Sequence, residues 1–346
     1  MRIFKYYVLI GLLAVLSVVA ISTPKSKPKE IRTATTTAAT PKSKLKEIRT
    51  AAAAWLDALD PDPIRIRKEK EMKGKKHFVE ALHGYLYLHT LAENAHERRG
   101  YKKRVIQLSQ ATKRPEYHNL AGIPLAEFRE ESTSYLNACY VMQIFGLDTA
   151  PYKAEIEKVL PRILEDMPKR GINQQLAFRY LLNKLGFAAM FRVDDLMPRS
   201  VIRQHRPLKQ LNVSEQYDVT HEIFPLGEFG RKKISEFSKE DMDYLRKLMA
   251  AMVQSYTAAD NIDLLAEVIV CMRFLDFDAL PEYRKGLDYI LTQQNSNGSF
   301  GHYETQRQQM RTTRPKYDVD IGGYLHTTEV CLWALAEAFM KGASKG

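Results

Sequence analysis

From residue 76 onward, apolar residues recur three or four positions apart through most of the chain. That spacing puts them on one face of an α-helix. Seven segments carry it: 76–97, 125–146, 152–167, 174–187, 239–256, 261–275 and 325–339. Alternating apolar and polar runs, the mark of half-buried strands, are nearly absent, so the pattern predicts an all-α fold. The segments differ in kind. NIDLLAEVIVCMRFL (261–275) is apolar nearly all round, whereas KEDMDYLRKLMAAMVQSY (239–256) is amphipathic. A helix apolar on every side is buried on every side. An inner layer of buried helices inside an outer amphipathic layer is therefore expected, as in an α/α toroid, a double ring of helical hairpins. The spacing of Pro151 and Pro281, each opening a helix after an acidic turn, fits three hairpins of about 43 residues.

The first 55 residues break this pattern. Residues 6–21, YYVLIGLLAVLSVVAI, form an uncharged apolar run after Arg2 and Lys5. Its length suits a signal peptide ending near residue 22 or a short membrane anchor. Both readings favour a remainder outside the cytoplasm, either secreted or held by one N-terminal span, whereas the Lys25, Lys27 and Lys29 flank is what a reversed anchor with the domain inside would carry. Next, TPKSKPKEIRTA (23–34) returns as TPKSKLKEIRTA (40–51). Lys, Ser, Thr and Pro without apolar periodicity bury too little surface to order a chain, so residues 23–55 are expected to be a disordered tether. The toroid domain is then expected over 56–346.

Charge changes the picture little. The formal net charge is +11, but residues 23–50 hold eight Lys or Arg against two acids, more than half of that excess. A nucleic-acid surface would carry its basic residues on the folded part with aromatics between them, so no nucleic-acid partner is expected. Cys139, Cys271 and Cys331 each sit in an apolar helical pattern and read as buried free thiols.

The run KGLDYILTQQNSNGSFG (285–301) adds a more specific signal. A Gln late in a helix can bond backbone groups left unpaired at helix ends. Gly298 permits a left-handed turn, and Phe300 can pack back under it. Lys285-Gly286, Tyr289-Ile290, Gln294, Gly298, Ser299 and Phe300 resemble the repeat motif of the squalene/terpene cyclases, with Phe300 where that motif usually has Trp. HTTEVCLWALAEA (326–338) likewise resembles an inner helix of that family. The resemblance is strong over about 55 residues, 281–339. It implies the α/α toroid fold that these cyclases share with the protein prenyltransferase β-subunits.

In such a ring, the first turns of the inner helices line one mouth of a central cavity. Leu265-Ala266-Glu267-Val268 aligns with Thr327-Thr328-Glu329-Val330, and Thr220-His221-Glu222-Ile223 is a third version, interrupted by Pro225 and Gly227. Asn137 takes the equivalent place in 125–146. A Glu inside an apolar helix costs several kcal/mol unless it is paired, which makes Glu267 a candidate for a cavity-facing role. Asp260 and Asp263 fall on the same stripe, where complementing the helix dipole explains them as well.

Glu222, Glu267 and Glu329 with His221 and His326 can act as acid/base pairs. They can also serve as metal ligands, or simply pack and cap. The residues themselves call for no cofactor. Zinc enters through the resemblance, because prenyltransferases hold it with an Asp, a Cys and a His that opens an inner helix. His326 matches that His, whereas Cys271 lies too deep in its helix to match the Cys. The Asp-x-Asp-Asp acid motif of class II cyclases is incomplete both at Asp318-Val319-Asp320-Ile321 and at Arg192-Val193-Asp194-Asp195. This speaks against triterpene cyclisation and leaves Asp320 as a ligand-binding candidate. The four histidines of 76–97 read as solvated or capping.

Two functions remain in view. One is a lyase, hydrolase or isomerase using Glu/His chemistry on a saccharide or isoprenoid-like small molecule or polymer. The other is a non-catalytic toroid binding a protein or lipid at the cell surface, with membrane contact through an uncleaved N-terminal segment.

Overall fold

A computed structural model describes residues 41–188 and 191–339, and every regular element among them is helical. The apolar run 6–21 and the first copy of the duplication lie outside the described residues, and no described helix is long and apolar enough to cross a membrane. In chain order the helices are α1 (Pro41–Ala58), α2 (Pro63–Lys70), α3 (Gly74–Leu91), α4 (Ala95–Ser109), α5 (Leu125–Ile144), α6 (Ala150–Asp166) and α7 (Ile172–Leu185). They continue with α8 (Val193–Leu196), α9 (Val213–Leu226), α10 (Lys239–Ala259), α11 (Ile262–Phe274), α12 (Pro281–Thr292), α13 (Glu304–Thr313) and α14 (Leu325–Phe339).

Local chemistry sets the boundaries. The segment 76–97, which reads as one helix, divides because Asn94 leaves helical geometry and its side chain accepts from the Glu97 N–H to start α4. Ser238 and Asp241 close a reciprocal capping box on α10. Pro225 is tolerated at the end of α9, which stops one residue later and is capped by Gly227.

The packing follows the two helix kinds. α3 packs on α5, α5 on α7, α7 on α9, α9 on α11, α11 on α14, and α14 returns to α3. Half or more of the residues in each of these helices are buried. In α11 every residue but Arg273 is buried, and α14 is buried from Leu325 to Ala336 except for His326. Amphipathic helices cover them from outside: α4 and α1 on α3, α6 on α5, α10 and α12 on α11.

The second copy of the duplication is not a tether. Residues 41–51 form the start of α1, and Ile48, Arg49 and Ala52 are buried. The Arg49 guanidinium donates to the Leu91 carbonyl at 3.2 Å and to Glu97 at 3.3 Å. Composition missed this because one face of α1 is enough: Leu45, Ile48, Ala52, Trp55 and Leu56 share a stripe against the core. The two copies differ at one position, Pro28 against Leu45, and only Leu suits a helix interior.

The Gln-Gly turn is what α1 docks on. Gln294 Nε2 donates to the Ile48 carbonyl at 2.9 Å and to the Gly298 carbonyl at 3.0 Å. Gly298 has φ +98°, and a Cβ there would lie 2.1 Å from the Ala51 carbonyl oxygen. Phe300 is fully buried, with its N–H on Thr328 Oγ1 at 2.9 Å.

Candidate functional site

Inside the α3–α5–α7–α9–α11–α14 cycle lies a cavity of ≈ 390 Å³. Along α14 its lining runs His326, Glu329, Trp333, Glu337, and along α3 it runs Lys76, Glu80, His83, Tyr87. Both series follow a helix stripe, so His326, Glu329, Lys76, Glu80 and His83 sit toward the helix N-termini and the aromatics one to two turns further in, with Glu337 beyond Trp333 and accepting from its indole N–H at 3.3 Å. The seven-residue step from His326 to Trp333 spans about 10 Å along the axis.

His326 is the hub of the charged end. Its Nδ1 lies 3.4 Å from Glu80 Oε1 and 3.5 Å from Glu329 Oε2. Its Nε2 lies 3.8 Å from Asp263 Oδ1 and 3.9 Å from Glu267 Oε1. All four carboxylates are buried. Each is steadied by a second contact. His77 Nδ1 meets Glu80 Oε2 at 2.7 Å, and His83 Nδ1 meets Glu329 Oε1 at 2.7 Å. Tyr217 and Thr327 donate to Asp263 at 2.6 and 2.9 Å. Thr220 donates to Glu267 Oε2 at 2.5 Å, and His221 Nε2 stands 3.4 Å from Glu267 Oε1.

The electrostatics follow from this crowding. Burial disfavours the imidazolium of His326, yet Asp263, Glu329 and Glu80 outweigh it and hold its pKa well above the usual histidine range. His221 is raised for the same reason, with Glu267 overcoming burial. Burial would raise the Glu80 carboxyl, but Lys76, His77 and His326 hold it well below the carboxylate range.

The other end is an aromatic wall. Tyr87 stacks on Trp333 (5.6 Å between centroids, 8° between planes), and Phe224 and Phe229 pack on the same indole at 4.6 and 5.9 Å. Tyr140 and Tyr180 share a hydroxyl contact of 2.7 Å, and Arg231 donates to both, to Tyr180 at 2.9 Å.

Several expected residues converge here: His221, Glu267, His326, Glu329 and Asn137 line the cavity, and Asp263 backs His326. Three do not. Glu222 turns away from the cavity and accepts from the Val201 and Ile202 N–H groups at 2.9 and 3.2 Å. Adjacent residues on a helix point about 100° apart, and here the cavity takes His221 while Glu222 faces the Val201–Ile202 backbone. Asp260 is the left-handed C-cap of α10, bonded to Tyr289 at 2.5 Å and facing His302 at 3.3 Å. Asp320 pairs bidentately with Arg307 at 2.9 and 3.0 Å beside a separate surface groove.

The histidines of α3 need correction as well, because His77 and His83 hold cavity carboxylates rather than solvent. Glu80 carries the signature that pointed to Glu267, a Glu inside an apolar helix (FVEALHGYL), and the charged surroundings of α3 masked it. The Asp–Cys–His zinc set of the prenyltransferases is not assembled. Cys271 is fully buried with its Sγ 3.8 Å from the Thr220 carbonyl, and burial and Glu267 push its thiol pKa up, so no thiolate is on offer.

A family described as "Domain of unknown function (DUF6895)" matches residues 45–336. The chain belongs to the DUF6895 family. That span starts inside α1 and ends in α14, so the DUF6895 match takes in α1 from Leu45 on and every cavity residue named above except Glu337. No curated protein and no solved structure matches the chain.

Proposed function

We propose that the helix cycle is the inner ring of an α/α toroid of the terpenoid cyclase and prenyltransferase type, and that its cavity is a reaction site. What supports the ring is the return of α14 to α3 and a Gln294-Gly298-Phe300 turn that joins helix ends. What supports a reaction site is one observation: four buried carboxylates converge on His326 at the polar end of an aromatic-lined cavity. Burying that much charge is expensive, and folding alone gains little from it.

The chemistry is acid/base. His221 faces the cavity with Glu267 behind its Nε2, the arrangement that orients an imidazole and stabilises its protonated form. The substrate class is a saccharide. A sugar ring offers an apolar face to Tyr87, Trp333 and Phe229 and hydroxyls to the carboxylates, whereas the diphosphate of an isoprenoid would meet the carboxylates with like charge. Proton transfer at a glycosidic oxygen or a sugar carbon makes the protein a hydrolase, lyase or isomerase. If the apolar run 6–21 exports the chain, its substrate is a polymer at the cell surface.

The test screens the purified protein against neutral and acidic oligosaccharides and isoprenoid diphosphates, with thermal shift for binding and mass spectrometry for products. Glycan conversion that is lost in E267Q and H221A supports the reading. A ligand that binds without conversion, or a response confined to lipids or isoprenoids, refutes it in favour of a scaffold or a prenyl-binding protein.

A further inference from the structure

The His326 hub divides into two faces, and they are not equivalent. On the Nε2 face, Asp263 Oδ1 already accepts from Thr327 and Glu267 is engaged by Thr220 and His221. On the Nδ1 face, Glu80 Oε1 and His326 Nδ1 are both buried atoms without a hydrogen bond. Glu80 is 3% exposed, and its other oxygen is held by His77. Glu329 repeats the arrangement, with Oε1 held by His83 and Oε2 turned to His326. Two carboxylates are thus locked through one oxygen so that the other points at the same imidazole nitrogen.

We propose that Glu80 Oε1, His326 Nδ1 and Glu329 Oε2 form a site for a divalent first-row cation such as Zn²⁺. The spacing fits. Ligand bonds of about 2.0–2.1 Å at tetrahedral angles put neighbouring donor atoms about 3.3–3.4 Å apart, and Nδ1 lies 3.4 and 3.5 Å from the two oxygens. The three atoms lie within 4.8 Å of one another. The supporting shell is of the kind metal sites need. His77 and His83 fix the carboxylates, and Asp263 and Glu267 stand beyond Nε2, where its N–H would point when Nδ1 binds the ion. All three residues line the cavity, from which a water or ligand would fill the fourth position. One nitrogen and two oxygens suit Zn²⁺, Co²⁺ or Mn²⁺ rather than a thiophilic ion. The ammonium of Lys76, 3.5 Å from Glu80 Oε1 and half exposed, is the cation the ion would displace. This site goes beyond the acid/base reading and does not rest on it, since the ion can be held whether or not His221 and Glu267 move protons.

The test is calorimetric titration of Zn²⁺, Mn²⁺ and Mg²⁺ into the chelator-treated full chain, with Co²⁺ absorption reporting coordination. One Zn²⁺ per chain is expected, bound at least 100-fold more tightly than Mg²⁺ and raising the melting temperature. E80Q and H326Q should each weaken Zn²⁺ at least tenfold with the helical circular dichroism retained, and K76M should tighten it by removing the competitor. If a variant fails to fold, the K76M result still decides. No saturable Zn²⁺ binding, binding unchanged in E80Q and H326Q, or K76M binding no tighter than wild type overturns the site. Loss only in D263N and E267Q moves the ion to the Nε2 face and overturns this donor set.

Discussion

Gly298→Ala tests whether α1 belongs to the folded unit. The residue sits at φ +98°, so any L side chain there costs about 1–2 kcal/mol in backbone strain. The added Cβ would also lie 2.1 Å from the Ala51 carbonyl oxygen and 2.5 Å from its carbon. Both are backbone atoms of α1 and cannot rotate aside, so α1 must shift as a body. That shift breaks the Gln294 bond to Ile48, worth about 1 kcal/mol. The sum is about 2–3 kcal/mol, a fall in melting temperature of roughly 3–5 °C for about 300 folded residues at about 2.1 cal/mol/K of unfolding entropy each. Gly146→Ala is the control. It shares a positive φ, +68°, but its Cβ would meet nothing within 4 Å, so it should cost only the strain of about 1–2 kcal/mol. Thermal and urea melts followed by circular dichroism read both. If G298A is no worse than G146A, α1 does not rest on the turn and the docking argument fails.

Three further outcomes follow from the same contacts. Leu45→Pro recreates in the second copy the residue found in the first and should cost about 3 kcal/mol, with hydrogen-exchange protection lost along α1; unchanged protection would refute a packed α1. Burial pushes Glu222 up to about 7 against the two N–H groups that favour its charge. Because this folded-state pKa lies above the unfolded one, stability present below about pH 4.5 is lost as pH rises through about 7, on the order of 3 kcal/mol at most. E222Q should flatten that decline in pH-dependent melts, and an equal slope in both proteins would count against it. In E267Q the imidazole of His221 should titrate at lower pH than in the wild type, because the carboxylate that favours its charge is gone; an unmoved NMR titration curve would remove Glu267 as its orienter.

The all-helical class was legible in the chain because the 3.6-residue period is local. The placing of Glu267 and Glu329 was legible too, because a Glu in an otherwise apolar helix must find a partner. The turn of Gln294 and Gly298 could be read as a helix joint, since Gly at a left-handed position is a local demand. What α1 does could not be read that way. Its second-copy sequence matches the tether-like first copy at all but one position, and its order comes from Arg49 reaching Leu91 and Gln294 reaching Ile48, 42 and 246 positions away.

The same limit separates the two halves of the site. Sequence determines which face of its own helix a residue occupies, and that sufficed to group His326 with Glu329. Only the tertiary structure brought Glu80 and His83 from α3 against α14, partners 246 positions apart in the case of His83 and Glu329. It also turned Glu222 away from the neighbour it seemed to share a role with. Helical period is an intra-segment property, whereas the rotation of one helix about its axis relative to another is set by side-chain packing across the interface. The chain therefore specified its charged residues, and the packing of α3 on α14 decided which of them meet.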